Sequence, residues 1–431
     1  MKTSNFQIGI IVTFLVFLVV AVLIFAGVIP LPSSSKISDV GGNVIIWGTA
    51  PNSTIDPVIQ AFNGDNRPLQ VYYIEKQVST YANDLIEGFA SGTGPDIFML
   101  SNEMLTSFSN KIMPIPYTSY PLRTFQDSFI SGTDIFISSQ GILGIPVAVD
   151  PLVLYYNIDA FNSVGISIVP STWDDFLADS ELLTSKDTSF LFKQSGAALG
   201  TFNNISNAKE ILYAMFMQSG SHIVVKDQAG NLTSDLNQNI DSKILKFYMQ
   251  FADSSMVSYS WNSSFNGSLN MFISSDLAQY IGFASELPKI QSSNPNLQFD
   301  IAKLPQIQKG RDSTYGKIYA FAVSKTAKNA TGATRAIFGL TTGDYSKNIS
   351  KGMSATSARK DLLAGKPENS YDPILNSSAF ISKSVIEPSS ENMNKIFGAM
   401  INGIRSGSIN FDRSISDLDN QIDLLLSGKR I

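Results

Sequence analysis

The stretch Gly141–Phe176, GILGIPVAVDPLVLYYNIDAFNSVGISIVPSTWDDF, combines a long apolar run with one charge inside it. The residues from Ile145 to Tyr156 are almost wholly apolar, which predicts burial, yet Asp150 lies among them beside Pro151. A lone charge in a buried run is costly unless it has a partner or meets water in a cleft. Proline also keeps the residue before it extended. We therefore predict that the chain passes from one structural unit to another at Asp150.

The end of the same stretch predicts the start of a helix. Ser171 or Thr172 can cap it, and Asp174 and Asp175 lie in the first turn, where the helix dipole favours negative charge. The two adjacent carboxylates could instead suggest a glycosidase pair. First-turn helix charges explain them more simply, although two distant carboxylates could still meet in a cleft.

The chain between the N-terminal segment and this stretch alternates between apolar strands and amphipathic helices. Strands are predicted at Asn43–Trp47, Leu69–Ile74 and Pro95–Leu100. The helices between them follow from two stripes of apolar residues with helical spacing: Ile55, Val58, Ile59 and Phe62, then Val78, Tyr81, Leu85 and Phe89. This alternation is the signature of a parallel α/β layer.

In such layers, ligands meet the loops at the carboxyl ends of the strands. The loops in question are Gly48 to Asn52 and Ser101 to Glu103. Further along, Asn207-x-x-Glu210 resembles a capping box that opens another helix. Strands are also predicted at Leu277–Phe283 and Phe299–Leu304.

Composition excludes several classes of protein. The 431 residues suffice for two or three domains, and the net charge of -5 argues against nucleic acid as a partner. The absence of cysteine excludes a disulfide scaffold, thiol catalysis and a lipid-modified N-terminal cysteine. The single histidine, His222, disfavours a histidine-rich metal site or a Ser-His-Asp triad. The sequence also lacks a Walker loop, a zinc-ligand spacing and a kinase signature.

The N-terminus predicts a membrane anchor. Residues 1–7 carry Lys2, and Ile8–Ile29 contains no charge and is long enough to span a bilayer, which takes roughly 20 residues. A cleaved signal peptide is the alternative, but its apolar region is usually only about 7–15 residues long. Residues 30–42, rich in proline, serine and glycine, would form a tether.

The central stretch resembles the extracellular solute-binding proteins of ABC importers, and in particular the sugar-binding group that includes the maltodextrin-binding proteins. The resemblance rests on GILGIPVAVDPLVLYYNIDAF, a following VG and PSTWDDF. Four further stretches match in the same order: Asn43–Gly48, Ser91–Phe98, Met271–Ala284 and Phe299–Pro305. Together they extend the resemblance from about residue 43 to the C-terminus.

The resemblance implies an α/β, two-lobed periplasmic-binding-protein-like fold with a central ligand cleft, here preceded by one N-terminal transmembrane helix. Lobe 1 would combine residues 43–149 with 299–329, and lobe 2 would combine residues 150–298 with 330–431. Because the chain crosses between the lobes more than once, they could close on a ligand by hinge motion.

The resemblance also implies where the ligand binds. Sugar sites combine aromatic faces with amide, carboxylate or guanidinium groups. We expect the ligand-binding residues to be Trp47, Gly48, Thr49, Ser101, Asn102, Glu103, Asp150, Tyr155, Trp261, Tyr280, Gly282 and Phe283.

Several of these residues have alternative interpretations. Trp47 either lines the cleft or merely ends the first strand, and Asp150 either binds the ligand or holds a partner at the hinge. Trp261 lies in a polar segment, so we expect it to be exposed in the cleft. Phe283 stands where many sugar-binding relatives have tryptophan, which weakens the assignment to sugars but not the fold.

The expected function is capture of a carbohydrate, or a similar small polar solute, and its delivery to ABC permease subunits. The bulk of the chain would be extracellular on a single-pass anchor, with no enzymatic activity, cofactor, metal or nucleic-acid partner. A surface glycan-binding receptor without transport is the main alternative, and an anchored glycosidase is a third.

Overall fold

The computed structural model describes residues 41–226 and 231–428. Within these two ranges, none of the helices is both long and apolar enough to cross a membrane. The predicted anchor at residues 8–29 lies outside the described residues.

The bounds of the regular elements in the described ranges are as follows. The strands are β1 (Gly42–Gly48), β2 (Leu69–Glu75), β3 (Ile97–Ser101), β4 (Ile137–Ser138), β5 (Gly141–Ile142), β6 (Ile145–Asn157), β7 (Ser185–Lys186), β8 (Phe192–Ala197), β9 (His222–Lys226), β10 (Leu232–Asp235), β11 (Leu277–Phe283), β12 (Phe299–Lys303), β13 (Thr314–Val323), β14 (Thr356–Ser357) and β15 (Ser382–Lys383). The α-helices are Asn52–Asp65, Tyr81–Ser91, Leu105–Phe108, Leu122–Ser128, Ile158–Ser163, Trp173–Leu183, Ala208–Gln218, Gln238–Gln250, Ser268–Ile273, Leu287–Ser293, Ala330–Leu340, Gly343–Gly352, Lys360–Leu363, Asp372–Phe380, Ser390–Ser406 and Ser414–Leu426. Short 3-10 helices occupy Asn102–Met104, Ser109–Lys111, Ser131–Phe136, Ala284–Glu286 and Phe411–Arg413.

One large sheet runs through most of the molecule. Its order is β2-β1-β3-β13-β6-β11-β8-β7, with β12 and β14 also paired to β6 and β15 paired to β13. β1 is parallel to β2 and β3 at one end, and β11 is parallel to β8 at the other. The long strands β6 and β13 are antiparallel to each other and join the two ends.

The predicted α/β layer at the start of the chain is confirmed. The helix Asn52–Asp65 buries the predicted residues Ile55, Val58, Ile59 and Phe62 against the sheet. The second stripe holds only in part, since the helix begins at Tyr81 and Val78 is 77% exposed. Val78 precedes the helix, so helical spacing does not apply to it.

The two predicted helix starts have different outcomes. Thr172 caps the helix Trp173–Leu183, as predicted, and together with Asp175 it forms a capping box. The capping box at Asn207 and Glu210 is wrong, because Asn207 has a left-handed backbone with φ 62 and makes no side-chain cap. The Asn207 side chain instead donates a hydrogen bond to Glu286.

Most buried apolar side chains of the described residues form two large cores, which define the two lobes, and a small third cluster surrounds Phe161. The first core runs from Val44 to Val149 and resumes at Ile318, and the second begins at Leu152. Each lobe therefore has its own core, and β6 and β13 pass between them.

The observed division of the chain differs from the predicted one in two places. Ile301 and Leu304 pack in the second core, whereas they were predicted in lobe 1. Residues from Ala333 to Leu363, and Ala379, contribute to the first core, although residues 330–431 were predicted in lobe 2. Ile374 and Leu375, between them, pack against the second core. The reason is a third crossing between the lobes, from Ala379 in the first core to Val385 in the second. The sequence does not mark this crossing, because no charge or proline interrupts an apolar run there.

Candidate functional site

Three segments of the chain cross between the two lobes side by side. In β6, Val149 belongs to the first core and Leu152 to the second. In β13, Tyr315 belongs to the second core and Ile318 to the first. The third crossing contains β15, which pairs with the start of β13. A narrow hinge of three adjacent segments is the geometry that lets two lobes move relative to each other.

Gly316 keeps the three crossings close together. A Cβ atom at this position would lie 2.7 Å from Cβ of Ser382 and 2.9 Å from Cγ2 of Val149. Any larger residue would therefore push the crossing strands apart.

Asp150 lies at the first crossing, where the sequence predicted a change of structural unit. Its side chain is 4% exposed and accepts a hydrogen bond of 2.9 Å from the backbone N–H of Ser285. Burial raises the pKa of Asp150 to about 7, while hydrogen bonds from Ser285 and the charge of Lys317 oppose that rise. The carboxylate thus has a partner in the second-lobe turn at Ala284–Glu286.

A first ion pair lies on the first-lobe side of the hinge. Lys317, opposite Asp150 in the register of β13 and β6, contacts the Glu103 carboxylate at 3.0 Å. Burial alone would lower the pKa of Lys317, but the adjacent Glu103 charge raises it. The neighbouring Asn102 is fully buried and donates hydrogen bonds to the Tyr315 hydroxyl and the Val385 carbonyl, at 2.9 and 3.1 Å. The loop after β3 is therefore tied directly to the hinge.

A second ion pair lies on the second-lobe side. The ammonium group of Lys209 lies 2.8 and 3.0 Å from the two carboxylate oxygens of Glu387. It also lies 3.2 Å from Glu210 and 3.3 Å from the Ser390 hydroxyl. Burial raises the pKa of Glu387, and the charge of Lys209 opposes that rise.

The carboxylates of the two ion pairs lie close together. Glu103, Glu210 and Glu387 each place one carboxylate oxygen within 4.8 Å of the other two. We call these three residues, with Lys209 and Lys317, the junction cluster. The carboxylates come from the end of β3, from the helix Ala208–Gln218 and from the segment after β15, so both lobes and the third crossing contribute.

Three carboxylates at this spacing could in principle surround a metal ion. Oxygen-rich sites of this kind suit Ca²⁺ or Mg²⁺. Here, however, the ammonium groups of Lys209 and Lys317 already lie against the carboxylates. A divalent cation would have to displace them, so this set of residues fits a metal poorly.

A second polar group adjoins the cluster. The Tyr280 hydroxyl and the Asn207 amide both donate to the carboxylate of Glu286, the amide at 2.9 Å. Burial raises the pKa of Glu286. Gly282 is needed beside this group, because a Cβ there would lie 2.5 Å from Cε1 of Tyr280 and 2.7 Å from Oε2 of Glu286.

The predicted site residues after β3 and at the crossing lie at the junction. Ser101, Asn102 and Glu103 follow one another at the end of β3, and Glu103 belongs to the junction cluster. Phe283 is 7% exposed, with its ring 5.6 Å below the Lys317 ammonium group. Glu103, Phe283 and Asp150 thus all lie near Lys317, where the strands cross between the lobes.

The predicted residues of the first strand lie in the first lobe. Trp47 is 9% exposed, packs in the first core and carries the Lys76 ammonium group 3.9 Å above its ring. Gly48 is buried and Thr49 is partly exposed in the loop that follows. Of the two interpretations of Trp47, its packing agrees with the one in which it ends the strand.

The predicted aromatic residues of the second lobe are packed inside it. Tyr155 and Tyr280 are 0% and 1% exposed, and their rings lie 5.8 Å apart. The expectation that Trp261 is exposed is wrong, since it is 0% exposed in the second core. Its indole N–H lies 3.1 Å from Oγ1 of Thr201 and 3.2 Å from Oδ1 of Asn204. These internal partners let a polar segment bury its tryptophan.

Sequence reasoning missed four members of the junction cluster: Lys209, Glu210, Lys317 and Glu387. The one available signal was Lys209-Glu210 at the start of a strongly apolar helix. Glu210 was instead assigned to a capping box, where a carboxylate at that spacing is common.

Comparison with known proteins agrees with this architecture. Residues 47–337 match the family of bacterial extracellular solute-binding proteins. A binding protein of Brucella abortus is 22% identical over 309 residues, covering 70% of this chain and 72% of that protein. The galactooligosaccharide-binding protein of Bacillus subtilis is also 22% identical over 309 residues, covering 69% of this chain and 68% of the relative.

Solved structures share the fold. The cyclic α-maltosyl-1,6-maltose binding protein from Arthrobacter globiformis superposes with a TM-score of 0.76 at 14% identity, over 90% of this chain and 100% of that one. Other structural neighbours also bind sugars such as maltose and maltotetraose. Each of these relatives is a binding protein. The chain therefore belongs to the family of bacterial extracellular solute-binding proteins.

Proposed function

We propose that the protein captures a carbohydrate, or a similar small polar solute, between its lobes and delivers it to an ABC permease. The observation that carries this proposal is the junction cluster, in which polar groups from both lobes converge beside a hinge of three crossings. Solute hydroxyl groups would exchange hydrogen bonds with these carboxylate and ammonium groups.

The side chains that can meet a solute are the partly exposed ones. Lys317 and Glu103 are 25% and 19% exposed, and Glu210 is 13% exposed. The side chains of Lys209 and Glu387 are 3% and 0% exposed, so they are buried beneath the other three and cannot contact a solute. We propose that Glu103, Glu210 and Lys317 bind the solute and that closure of the lobes surrounds it.

The delivery step and the location are part of the same proposal. The uncharged segment Ile8–Ile29 would hold the chain at the cell membrane, with the bulk outside the cell. A permease would then receive the solute from the closed protein. A surface glycan-binding receptor that hands nothing to a permease is the alternative. Transport by vesicles holding a co-purifying permease would separate the two, because only the first needs this chain for uptake.

Two carboxylates of the junction cluster are spaced as in some glycosidases. Glu103 and Glu210 come from opposite lobes and approach within 4.8 Å, close to the separation of the two carboxyl groups in retaining glycosidases. A glycosidase needs one of them to hold a proton as a general acid. Each of these carboxylates is instead engaged in an ion pair, Glu103 with Lys317 at 3.0 Å and Glu210 with Lys209 at 3.2 Å. Binding without hydrolysis is therefore the function we propose.

A thermal-shift screen tests the proposal. The full chain, in a detergent without a sugar headgroup, is heated with sugars, oligosaccharides, polyols and peptides. A ligand at a hundredfold excess over its Kd stabilises the folded state by about 2.7 kcal/mol. At least one carbohydrate should raise the Tm and be recovered chemically unchanged. Stabilisation by peptides alone, or hydrolysis of the bound oligosaccharide, would contradict the proposal.

A further inference from the structure

One loop of the second lobe carries a sequence pattern that solute binding does not use. The pattern is Asn-x-Ser/Thr, where x is any residue except proline, and it occurs here as Asn262-Ser263-Ser264. Enzymes that glycosylate asparagine recognise this pattern in surface loops of exported proteins. The chain belongs to a family of extracellular proteins, so the remaining requirement is that the segment lies at the surface.

All three residues of this segment are accessible in the folded protein. They lie in a turn between Trp261 and the helix Ser268–Ile273, outside the helices and strands. Asn262 is partly exposed, and Ser263 and Ser264 are exposed. An enzyme can therefore reach the whole pattern without unfolding a helix or a strand.

The hydrogen bonds of these side chains stay within the segment. The side-chain oxygen of Asn262 accepts hydrogen bonds from the backbone N–H and the hydroxyl group of Ser264, at 2.9 and 2.5 Å. The side-chain nitrogen of Asn262 forms no hydrogen bond with any residue of the described ranges. A substituent on this nitrogen would therefore break no contact that holds the second lobe together.

Asn204 begins the same pattern, Asn204-Ile205-Ser206, but has a structural role. Its side-chain nitrogen donates hydrogen bonds to the backbone carbonyls of Asn262 and Phe265, at 2.9 and 3.1 Å. The middle residue, Ile205, is buried. Both amide hydrogens of Asn204 are thus engaged, and they fix the loop that presents Asn262.

Asn329, in Asn329-Ala330-Thr331, is engaged in a similar way. Its side-chain nitrogen donates to the carbonyls of Gly41 and Asn43, at 3.2 and 3.3 Å, and its side-chain oxygen caps the helix Ala330–Leu340. A glycan on Asn204 or Asn329 would remove a hydrogen bond that the fold uses. The other occurrences of the pattern in the described ranges each place at least one residue inside a helix or strand: Asn52–Thr54, Asn231–Thr233, Asn266–Ser268, Asn348–Ser350 and Asn376–Ser378.

We infer that Asn262 is an N-glycosylation site of the extracellular protein. The donor is an oligosaccharide linked through phosphate to a lipid. A bond forms between Nδ2 of Asn262 and the anomeric carbon of the sugar, while the bond between that carbon and the phosphate oxygen breaks. The lipid phosphate leaves with the electron pair, and Nδ2 releases one of its two protons. The inference requires an extracellular location but does not depend on which solute the protein binds.

Peptide mapping by mass spectrometry tests this inference on the full chain, purified from the organism that makes it. Trypsin cleaves after lysine and arginine, so Lys209 and Lys246 separate the peptide of Asn204 from that of Asn262. Fragmentation that preserves the bond to the sugar identifies the modified residue. We expect the added mass of an oligosaccharide on Asn262 and none on Asn204 or Asn329. An unmodified Asn262, or a glycan on Asn204, would overturn the inference.

Variants expressed in the same organism distinguish modification of the asparagine from modification of the serines. Asn262→Gln and Ser264→Ala should each lose the added mass, whereas Ser264→Thr should keep it, because threonine also completes the pattern. Asn266→Gln, at an exposed asparagine further along the same loop, is the matched control and should also keep it. A glycan that persists in Ser264→Ala, or disappears in Asn266→Gln, would contradict the assignment. The peptide map of the wild type stands independently of how any variant folds.

Discussion

The two ion pairs of the junction cluster have similar chemistry but differ in their surroundings. Lys209 and Glu387 have side chains that are 3% and 0% exposed, whereas Lys317 and Glu103 are 25% and 19% exposed. Breaking a buried pair leaves a charge without a partner and without water. A partly exposed pair can instead exchange its partner for solvent or for a ligand. The comparison assigns the first pair to the stability of the hinge region and the second to solute binding.

The largest expected effect follows from breaking the buried pair. Lys209→Met leaves Glu387 fully buried without a cation, so the free energy of unfolding should fall by about 3–5 kcal/mol. Chemical denaturation of wild type and variant measures this change. Lys395→Met is the matched control, because its partner Glu391 is 78% exposed and the pair contributes little. Equal effects of the two substitutions would contradict the distinction between the pairs.

Asp150 provides a test that depends on pH. Burial raises the pKa of Asp150 from 3.8 to about 7, so between these two values the folded state binds more protons than the unfolded chain. Its contribution to stability is therefore lost as the pH rises towards 7. Asp150→Asn removes this loss but keeps an acceptor for the Ser285 N–H. The variant should gain about 2–4 kcal/mol relative to wild type between pH 4 and pH 8.

Denaturation at several pH values measures the difference between the two proteins. If the difference in the free energy of unfolding stays constant from pH 4 to pH 8, folding does not raise the pKa of Asp150. In that case Asp150 would be a solvated carboxylate and not a buried partner of the second lobe.

The smallest effect on stability is expected at the partly exposed pair of Lys317 and Glu103. Glu103→Gln keeps the size of the side chain and removes its charge, so the free energy of unfolding should change by about 1 kcal/mol or less. Chemical denaturation of the Glu103→Gln and Lys209→Met variants under the same conditions compares their free energies of unfolding directly. A loss as large as that of Lys209→Met would show that Glu103 is part of the supporting structure.

Much of the fold was predictable because its signals are local. The helical stripe from Ile55 to Phe62 and the strands around it were found, since burial on one face imposes a fixed spacing. Asp150 marked the first crossing because a charge in an apolar run is conspicuous. The third crossing, before Val385, has no such signal, and the lobe division was therefore wrong there.

The site was harder to predict because its contacts join distant positions. Lys209 and Glu387 are 178 positions apart, and Asn207 and Glu286 are 79 apart. No local spacing encodes such pairs, and the local pattern at Asn207 indicated a capping box instead. Trp261 was misjudged for a related reason, since its polar neighbours are satisfied inside the lobe by Thr201 and Asn204.

The central claim is that a solute binds at the junction cluster between the lobes. Calorimetric titration of wild type, Glu103→Gln and the control Glu391→Gln, with the most stabilising carbohydrate from the screen, tests it directly. Loss of a charge-assisted hydrogen bond costs about 1.5–3 kcal/mol, so Glu103→Gln should bind about tenfold to a hundredfold more weakly. Its melting temperature without ligand should stay close to that of wild type, and the control should bind normally. Equal affinity of all three proteins for that carbohydrate would contradict the claim.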